Sequence, residues 1–268
     1  MQGVIGWVRR DARMQLFLLL PLFIAAYWIP LRSMVHVWMS NEDYSYGFII
    51  PVVSAYLLWE KRSILKNAHI ESSWRIFPFL VVAVALSLYG ILGSSGNISM
   101  PAVPLLIILF AAFVFGSEAV KKLLLPLGFL FFMVPVPASI DRSLGVFLKA
   151  VSTKLGGAAI SLCDIPVNIS GNIIDLGVTR LQVVDACSGM RFLFPLMALG
   201  VLYAYFFERV MWKRIVCVIA TMPIAVFTNG LRIGITGILT NYYGKEAAEG
   251  FFHDFEGWAI FMVAFFFL

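Results

Sequence analysis

Apolar residues in this chain come in long blocks separated by short polar and basic clusters, a pattern unlike the alternating or one-sided spacing of water-soluble elements. Crossing the hydrocarbon core of a bilayer takes ~20 residues of helix. Blocks near that length at 14–34, 47–60, 76–93, 101–117, 121–138, 188–207, 215–240 and 255–268 predict an all-α integral membrane protein of about eight transmembrane helices. The second and last blocks are short for a perpendicular span. Basic clusters orient the blocks. Arg9, Arg10 and Arg13 precede the first; Lys61, Arg62, Lys66 and Arg75 follow the second; Lys121 and Lys122 follow the fourth; Arg209, Lys213 and Arg214 follow the sixth. With every second connection basic, both termini are expected in the cytoplasm. Segments 35–46, 94–100, 139–187 and 241–254 then face outward.

Segment 139–187 is the longest of the outward connections. From Ser139 to Leu162, Leu144, Phe147, Leu148, Val151 and Leu155 recur at helical spacing while Asp141, Arg142, Lys149 and Lys154 fill the other turns. This predicts an amphipathic helix lying in the membrane interface. From Ile165 to Val184 β-branched residues dominate and Asn168 to Gly171 signals a turn, so a short hairpin is expected before the sixth helix. No internal repeat or second soluble domain is visible, and residues 1–268 read as a single transmembrane domain.

Composition strengthens the membrane reading: 61% of residues are hydrophobic, 13% are charged, and mean hydropathy is +0.91, more apolar surface than a soluble domain of this size could bury. The first block lacks a small-residue cleavage site after it, so it is expected to be retained as a helix. The net charge of +5 is dispersed in connections and forms no single basic face, which argues against nucleic acid. Cys163, Cys187 and Cys217 show neither CxxC nor Cys/His ligand spacing. No metal, cofactor or disulfide framework is therefore expected. Trp28, Trp38, Trp59 and Trp212 suit interfacial aromatic belts.

Candidate chemistry concentrates in three places. Val184-Asp185-Ala186-Cys187-Ser188-Gly189-Met190-Arg191 runs directly into the sixth block, placing a thiol at a helix start. The amide groups of a helix N-terminus and the adjacent Arg191 both favour thiolate, the form a nucleophilic cysteine needs. Taken alone, such a cysteine is a small buried hydrophobe. Asn229-Gly230-Leu231-Arg232 falls in the far half of the seventh block, ~27 Å from the basic end near Arg214 at ~1.5 Å per residue. An arginine within a span costs at least ~2.5 kcal/mol, so Arg232 should face the bundle interior or an aqueous pocket, with Asn229 one turn earlier on the same face. Its bland alternative is a snorkelling arginine or a structural ion pair. His253, followed by Asp254, precedes the last block on the outer side, where a histidine can exchange a proton near neutrality. His36 and His69 have weaker claims, and Cys217 lies inside an apolar block.

Ala186-Cys187-Ser188-Gly189 opening one helix, Asn229-x-x-Arg232 in the next and His253 before the last together resemble the signature of the exosortase family. Asp43-Tyr44-Ser45-Tyr46-Gly47-Phe48 followed by Pro51 resembles a second motif of that family, although Tyr46 stands where a histidine is expected. The resemblance spans nearly the whole chain. It implies a membrane-embedded cysteine protease and transpeptidase of the bacterial inner membrane, with its active site on the periplasmic side. Its partners would be exported proteins carrying a C-terminal sorting signal: a Pro-Glu-Pro-like motif, a hydrophobic helix and a basic tail. Cys187 resembles the nucleophile, Arg232 the residue stabilising charge on the scissile carbonyl, and His253 the acid/base. Arg191, Asn229, Ser188 and Asp254 would support them or bind substrate.

In such a reaction Cys187 attacks a peptide carbonyl, Arg232 stabilises the oxyanion and His253 protonates the departing amine, leaving a thioester for an acceptor nucleophile. The acceptor could be an amine, a lipid or sugar group, or water. Rival classes are a transporter with Arg232 as counter-charge, a non-catalytic scaffold of polysaccharide export, and a lipid acyltransferase using the same thiol.

Overall fold

The computed structural model describes residues 21–67, 74–93, 95–183, 189–244 and Met262. The chain divides into two compact units, Met1–Pro137 and Ala138–Leu268.

In the first unit, α1 (Trp28–Ser40) is followed by a 3-10 turn (Glu42–Phe48), α2 (Ile49–Glu60) and α3 (Arg62–Asn67). An apolar pair, α4 (Phe77–Leu92) and α5 (Gly96–Phe115), comes next, then α6 (Ser117–Lys122), α7 (Leu124–Phe129) and a 3-10 turn at Leu130–Met133. The motif Asp43–Phe48 forms the first 3-10 turn, opened by Asn41, whose side chain accepts from the Asp43 amide at 3.0 Å. Gly47 lies flat against the indole of Trp38, where any Cβ would collide with the ring. That indole also meets Phe48 edge-on at 5.2 Å and donates to the Met133 carbonyl at 2.9 Å. Trp38 is thus buried and does not join an interfacial belt, unlike Trp28, Trp59 and Trp212, which are exposed. Its N–H found a partner inside the unit.

The block 121–138 is not one helix, and Pro126 explains the break. Having no N–H, residue 126 cannot bond to the Lys122 carbonyl. Lys61 Nζ donates to that carbonyl instead, at 3.0 Å, and the Pro126 carbonyl accepts from Ser54 Oγ at 2.7 Å. Pro135 and Pro137 follow, and the chain between Val134 and Pro137 is neither helix nor strand.

The second unit begins with α8 (Ala138–Ser161), close to the expected helix from Ser139 to Leu162. Strands β1 (Asn168–Ser170), β2 (Ile173–Asp175) and β3 (Arg180–Gln182) follow as an antiparallel sheet in that order. The expected hairpin is therefore a three-stranded meander. Its second turn, which sequence reading passed over, is built by Gly177 at φ 78° and by Asp175, whose carboxylate accepts from the Gly177 amide at 2.9 Å. Helices α9 (Met190–Phe207) and α10 (Met211–Tyr243) complete the unit.

The core side of α8 is built mostly from small residues. Ser152, Thr153, Gly156, Gly157 and Ile160 are buried along with Leu148, while Phe147 is exposed. Small residues turn inward because α8 crosses α10 at very close range. A Cβ on Gly156 would stand 2.5 Å from Ile233, one on Gly230 2.6 Å from Leu155, and one on Gly234 2.7 Å from Ala159. Helices in an apolar medium associate through such close backbone approach, since lipid is as apolar as leucine. Below this crossing the sheet closes over α10: Ile165, Ile174, Leu176 and Val183 pack with Ile160 and Ile233.

Helices α5, α9 and α10 are long and apolar enough to cross a membrane, and a fourth span results if Leu124–Met133 and Ala138–Ser161 count as one broken span. The start of the first block and most of the last lie outside the described residues.

Candidate functional site

Helix α10 carries the polar residues of the candidate site. At 33 residues it runs ~50 Å, well beyond a ~30 Å hydrocarbon core. Arg232 lies in its second half and is only 6% exposed, and Asn229, one turn earlier, is 1% exposed. The guanidinium Cζ stands 5.9 Å from the centre of the Phe192 ring in the first turn of α9, within cation–π range. The Arg232 carbonyl accepts from Thr236 Oγ1 at 2.9 Å, so the hydroxyl of Thr236 is satisfied by its own helix. Burial of Arg232 agrees with the expectation that it faces inward rather than lipid.

Asn229 reaches the start of α9. Gly189, the residue before that helix, has φ 85°, the left-handed region where a side chain is costly. A Cβ there would sit 3.1 Å from Asn229 Cγ and 3.2 Å from Nδ2. Both conformation and space therefore call for glycine, two residues after Cys187. Met190, Leu193 and Leu196 hold this end of α9 in a cluster with Leu148 of α8 and Ala225 of α10. Arg191, by contrast, is exposed in the first turn of α9. The structure thus brings the Asn229–Arg232 face of α10 against the Gly189–Phe192 turn, with Arg191 on the outside of that turn. Cys187, Ser188, His253, Asp254 and His69 lie outside the described residues.

Two contributors were missed by sequence reading. Phe192 follows Arg191 in a block of apolar residues and nothing distinguishes it from its neighbours until the ring is seen beside Arg232. Gly189 was read as part of a motif. Its signal was available: a glycine directly before a helix, where a left-handed residue sets the direction of entry.

The remaining thiols are free. Cys163 is exposed just after α8, and Cys217 is half-buried in the apolar half of α10. Among the described residues no three His, Cys, Asp or Glu side chains form a group that could hold a metal ion. In the first unit, burial pushes the Tyr46 phenol up from its ordinary pKa, and the charge of Asp43 adds to the shift. Tyr46 consequently stays neutral through the physiological range.

Apolar helices of this length, with an arginine folded into the interior of one of them, define a multi-pass membrane protein. The family model for transmembrane exosortases matches residues 38–268, and the chain belongs to that family. No curated protein and no solved structure matches it.

Proposed function

We propose that this exosortase is a membrane cysteine peptidase and transpeptidase that removes the C-terminal sorting signal of exported proteins. The observation that carries the reading is Arg232. A cation buried in an apolar helix, at a cost of at least ~2.5 kcal/mol, lies on the same face as Asn229, which abuts the turn two residues beyond Cys187. A positive group kept dry is what an oxyanion requires, because charge stabilisation is stronger where water is excluded.

In this reading the Cys187 sulfur attacks the carbonyl carbon of a peptide bond near a Pro-Glu-Pro-like motif. The carbonyl π pair moves to oxygen, opposite the Arg232 guanidinium. Collapse of the tetrahedral species breaks the C–N bond, and His253 gives the leaving amine the proton it took from the Cys187 thiol, with Asp254 near it in sequence. An acceptor nucleophile then attacks the thioester and releases the Cys187 thiol. An amine or hydroxyl of a lipid or surface precursor gives an anchored protein, and water gives simple cleavage. Arg191 and Ser188 flank the thiol and contact substrate. Eight spans, cytoplasmic termini and an inner-membrane setting with the site at the periplasmic face complete the proposal, since the substrate's own helix then packs laterally while its motif reaches Cys187.

Co-expression with an exported protein carrying a Pro-Glu-Pro-type tail tests it, reading substrate size by gel and its new terminus by mass spectrometry. Wild type should remove the tail and Cys187→Ala should not. Arg232→Lys keeps a charge but loses the planar fork, and should slow processing by ~100-fold or more. Equal processing by Cys187→Ala would remove Cys187 as nucleophile and return the chain to the scaffold or transporter readings.

A further inference from the structure

The small sheet before α9 has an edge whose free hydrogen-bonding groups can be assigned residue by residue. Strands β2 and β3 pair Ile173 with Gln182, Ile174 with Leu181, and Asp175 with Arg180. Just beyond them the Val183 amide donates to the Asn172 carbonyl at 2.8 Å and the Leu176 amide to the Thr179 carbonyl at 2.9 Å. Thr179, Leu181 and Val183 therefore turn their amide and carbonyl groups toward β2. By the alternation of an antiparallel ladder, Arg180 and Gln182 turn theirs away from the sheet. The ion pair of Arg180 Nε with Asp175 Oδ2, at 2.8 Å directly across the strands, fits this parity, because side chains approach most closely in the pairs that do not exchange backbone bonds. Arg180 and Gln182 are both exposed, and no hydrogen bond to their backbone groups occurs among the described residues. The strand itself is fixed: Val183 is buried and Leu181 packs against the α10 surface beside Gly237.

From this we infer that β3 is a peptide-docking edge, on which an extended segment of the protein substrate adds as a fourth strand. The inference rests on the cysteine peptidase reading. Two features favour a peptide as the occupant. Outward groups on only two residues, Arg180 and Gln182, match a short extended segment and are too few for a stable sheet between two copies of the chain. Cys187 also follows Gln182 by only five residues in sequence, a reach of at most ~18 Å. A peptide bond presented to a thiolate must be extended and held by its backbone, and an edge that reads backbone alone accepts many exported proteins. The opposite edge offers less. On β1 only Ile169 turns its groups outward, and its side chain is pressed against Gly157 of α8.

The test uses the full chain in membranes with the tailed exported reporter described above. Gln182→Pro deletes one outward N–H and leaves every bond to β2 in place, whereas Gln182→Val keeps that N–H. Gln182→Pro should raise KM for Cys187-dependent processing about tenfold with little change in kcat, and Gln182→Val should match wild type. A proline scan of the reporter upstream of the cleaved bond, run on wild-type enzyme, does not depend on the variant folding. Processing should fall at alternate reporter positions. A KM for folded Gln182→Pro within twofold of wild type, or a scan with no two-residue period, overturns the docking edge while leaving the peptidase reading intact. A change in oligomeric state of Gln182→Pro at unchanged KM overturns it in favour of a second copy as the occupant. Processing that persists in Cys187→Ala overturns the peptidase reading, and the docking edge with it.

Discussion

The two halves of α10 solve different problems with one continuous helix. From Met211 to Phe227 the outward positions past Lys213 are mostly large and apolar: Ile215, Val216, Ile219, Met222 and Phe227 are exposed, as is Trp212. From Thr228 to Thr240 the buried positions are, Ile233 apart, small or polar: Thr228, Asn229, Gly230, Arg232, Gly234, Gly237 and Thr240. The first half is an anchor whose side chains find equivalent surroundings in lipid. The second half is a surface cut to fit α8, the sheet and the turn before α9. Apolar side chains gain little from choosing protein over lipid, so position in such a protein is fixed by close backbone approach and by polar groups that lipid cannot satisfy.

The largest effect should come from filling that cut surface. Gly234→Leu would drive a side chain into Ala159, whose Cβ lies only 2.7 Å from the position of an added Cβ, and α8 would have to separate from α10. Unfolding of the purified protein in mixed micelles, followed by denaturant titration, should register a loss of about 3 kcal/mol. Ile219→Ala in the anchor half should change stability by less than ~0.5 kcal/mol. Similar losses for both would break the division between the halves.

The next effect sharpens where the second half begins. Gly189→Ala places a side chain in the left-handed region and against Asn229 Cγ, and should cost about 1–2 kcal/mol. Gly189→Asn separates the two causes, since asparagine tolerates the left-handed region but needs still more room. A worse outcome for asparagine than for alanine shows that the contact with Asn229 dominates; a milder one shows that backbone conformation does.

Much of this architecture was legible in the chain. The block 188–207 corresponds to α9, 215–240 to most of α10, and the helical spacing from Ser139 to Leu162 to α8, because runs of apolar residues between charges leave few alternatives. Arg232 and Asn229 also stood out, since polar groups in an apolar run need partners. What hydropathy could not reveal was which apolar surface meets protein. It assigned Trp38 to an interfacial belt and the apolar positions from Leu144 to Leu155 to a helix lying in the membrane interface. The indole is spent on Gly47 and Met133, and the working face is built from Ser152, Gly156 and Gly157. Nor did it reveal the break at Pro126, where Lys61 stands in for the missing amide by donating to the Lys122 carbonyl sixty-one residues away. Those features depend on pairs distant in sequence, which no local pattern contains.

Smaller changes test whether the polar groups of the second half stabilise the fold or serve the site. Thr228 Oγ1 donates to the Ile224 carbonyl at 2.7 Å and Thr240 Oγ1 to the Thr236 carbonyl at 2.8 Å, so both hydroxyls are satisfied within α10. Replacing both bonding partners' need at once is not required; Thr240→Val removes only the donor, and its carbonyl acceptor keeps its helical bond. A loss of about 0.5 kcal/mol is expected in the same titration, with processing of the reporter unchanged. A large loss would mean that Thr240 serves a partner outside α10.

The smallest effect concerns the sheet that closes over the second half. The Gly177 amide and then the Arg180 guanidinium hold the Asp175 carboxyl below its usual range. A group whose pKa is lowered on folding binds fewer protons in the native state than in the unfolded chain across that interval. Its contribution is therefore complete above the ordinary carboxylate pKa and is lost as pH falls through the lowered value. Because the pair is exposed, the contribution is small and screened by salt. Hydrogen exchange of the β2–β3 turn should quicken on acidification below the usual carboxylate range, relative to Asp175→Asn, whose turn should already be loosened at neutral pH and change less. Amides of the anchor half should show no such dependence, since Met211 to Phe227 has no part in the sheet. An equal acid response in both halves would mean that they open together, and the distinction between anchor and site would be one of composition rather than of stability.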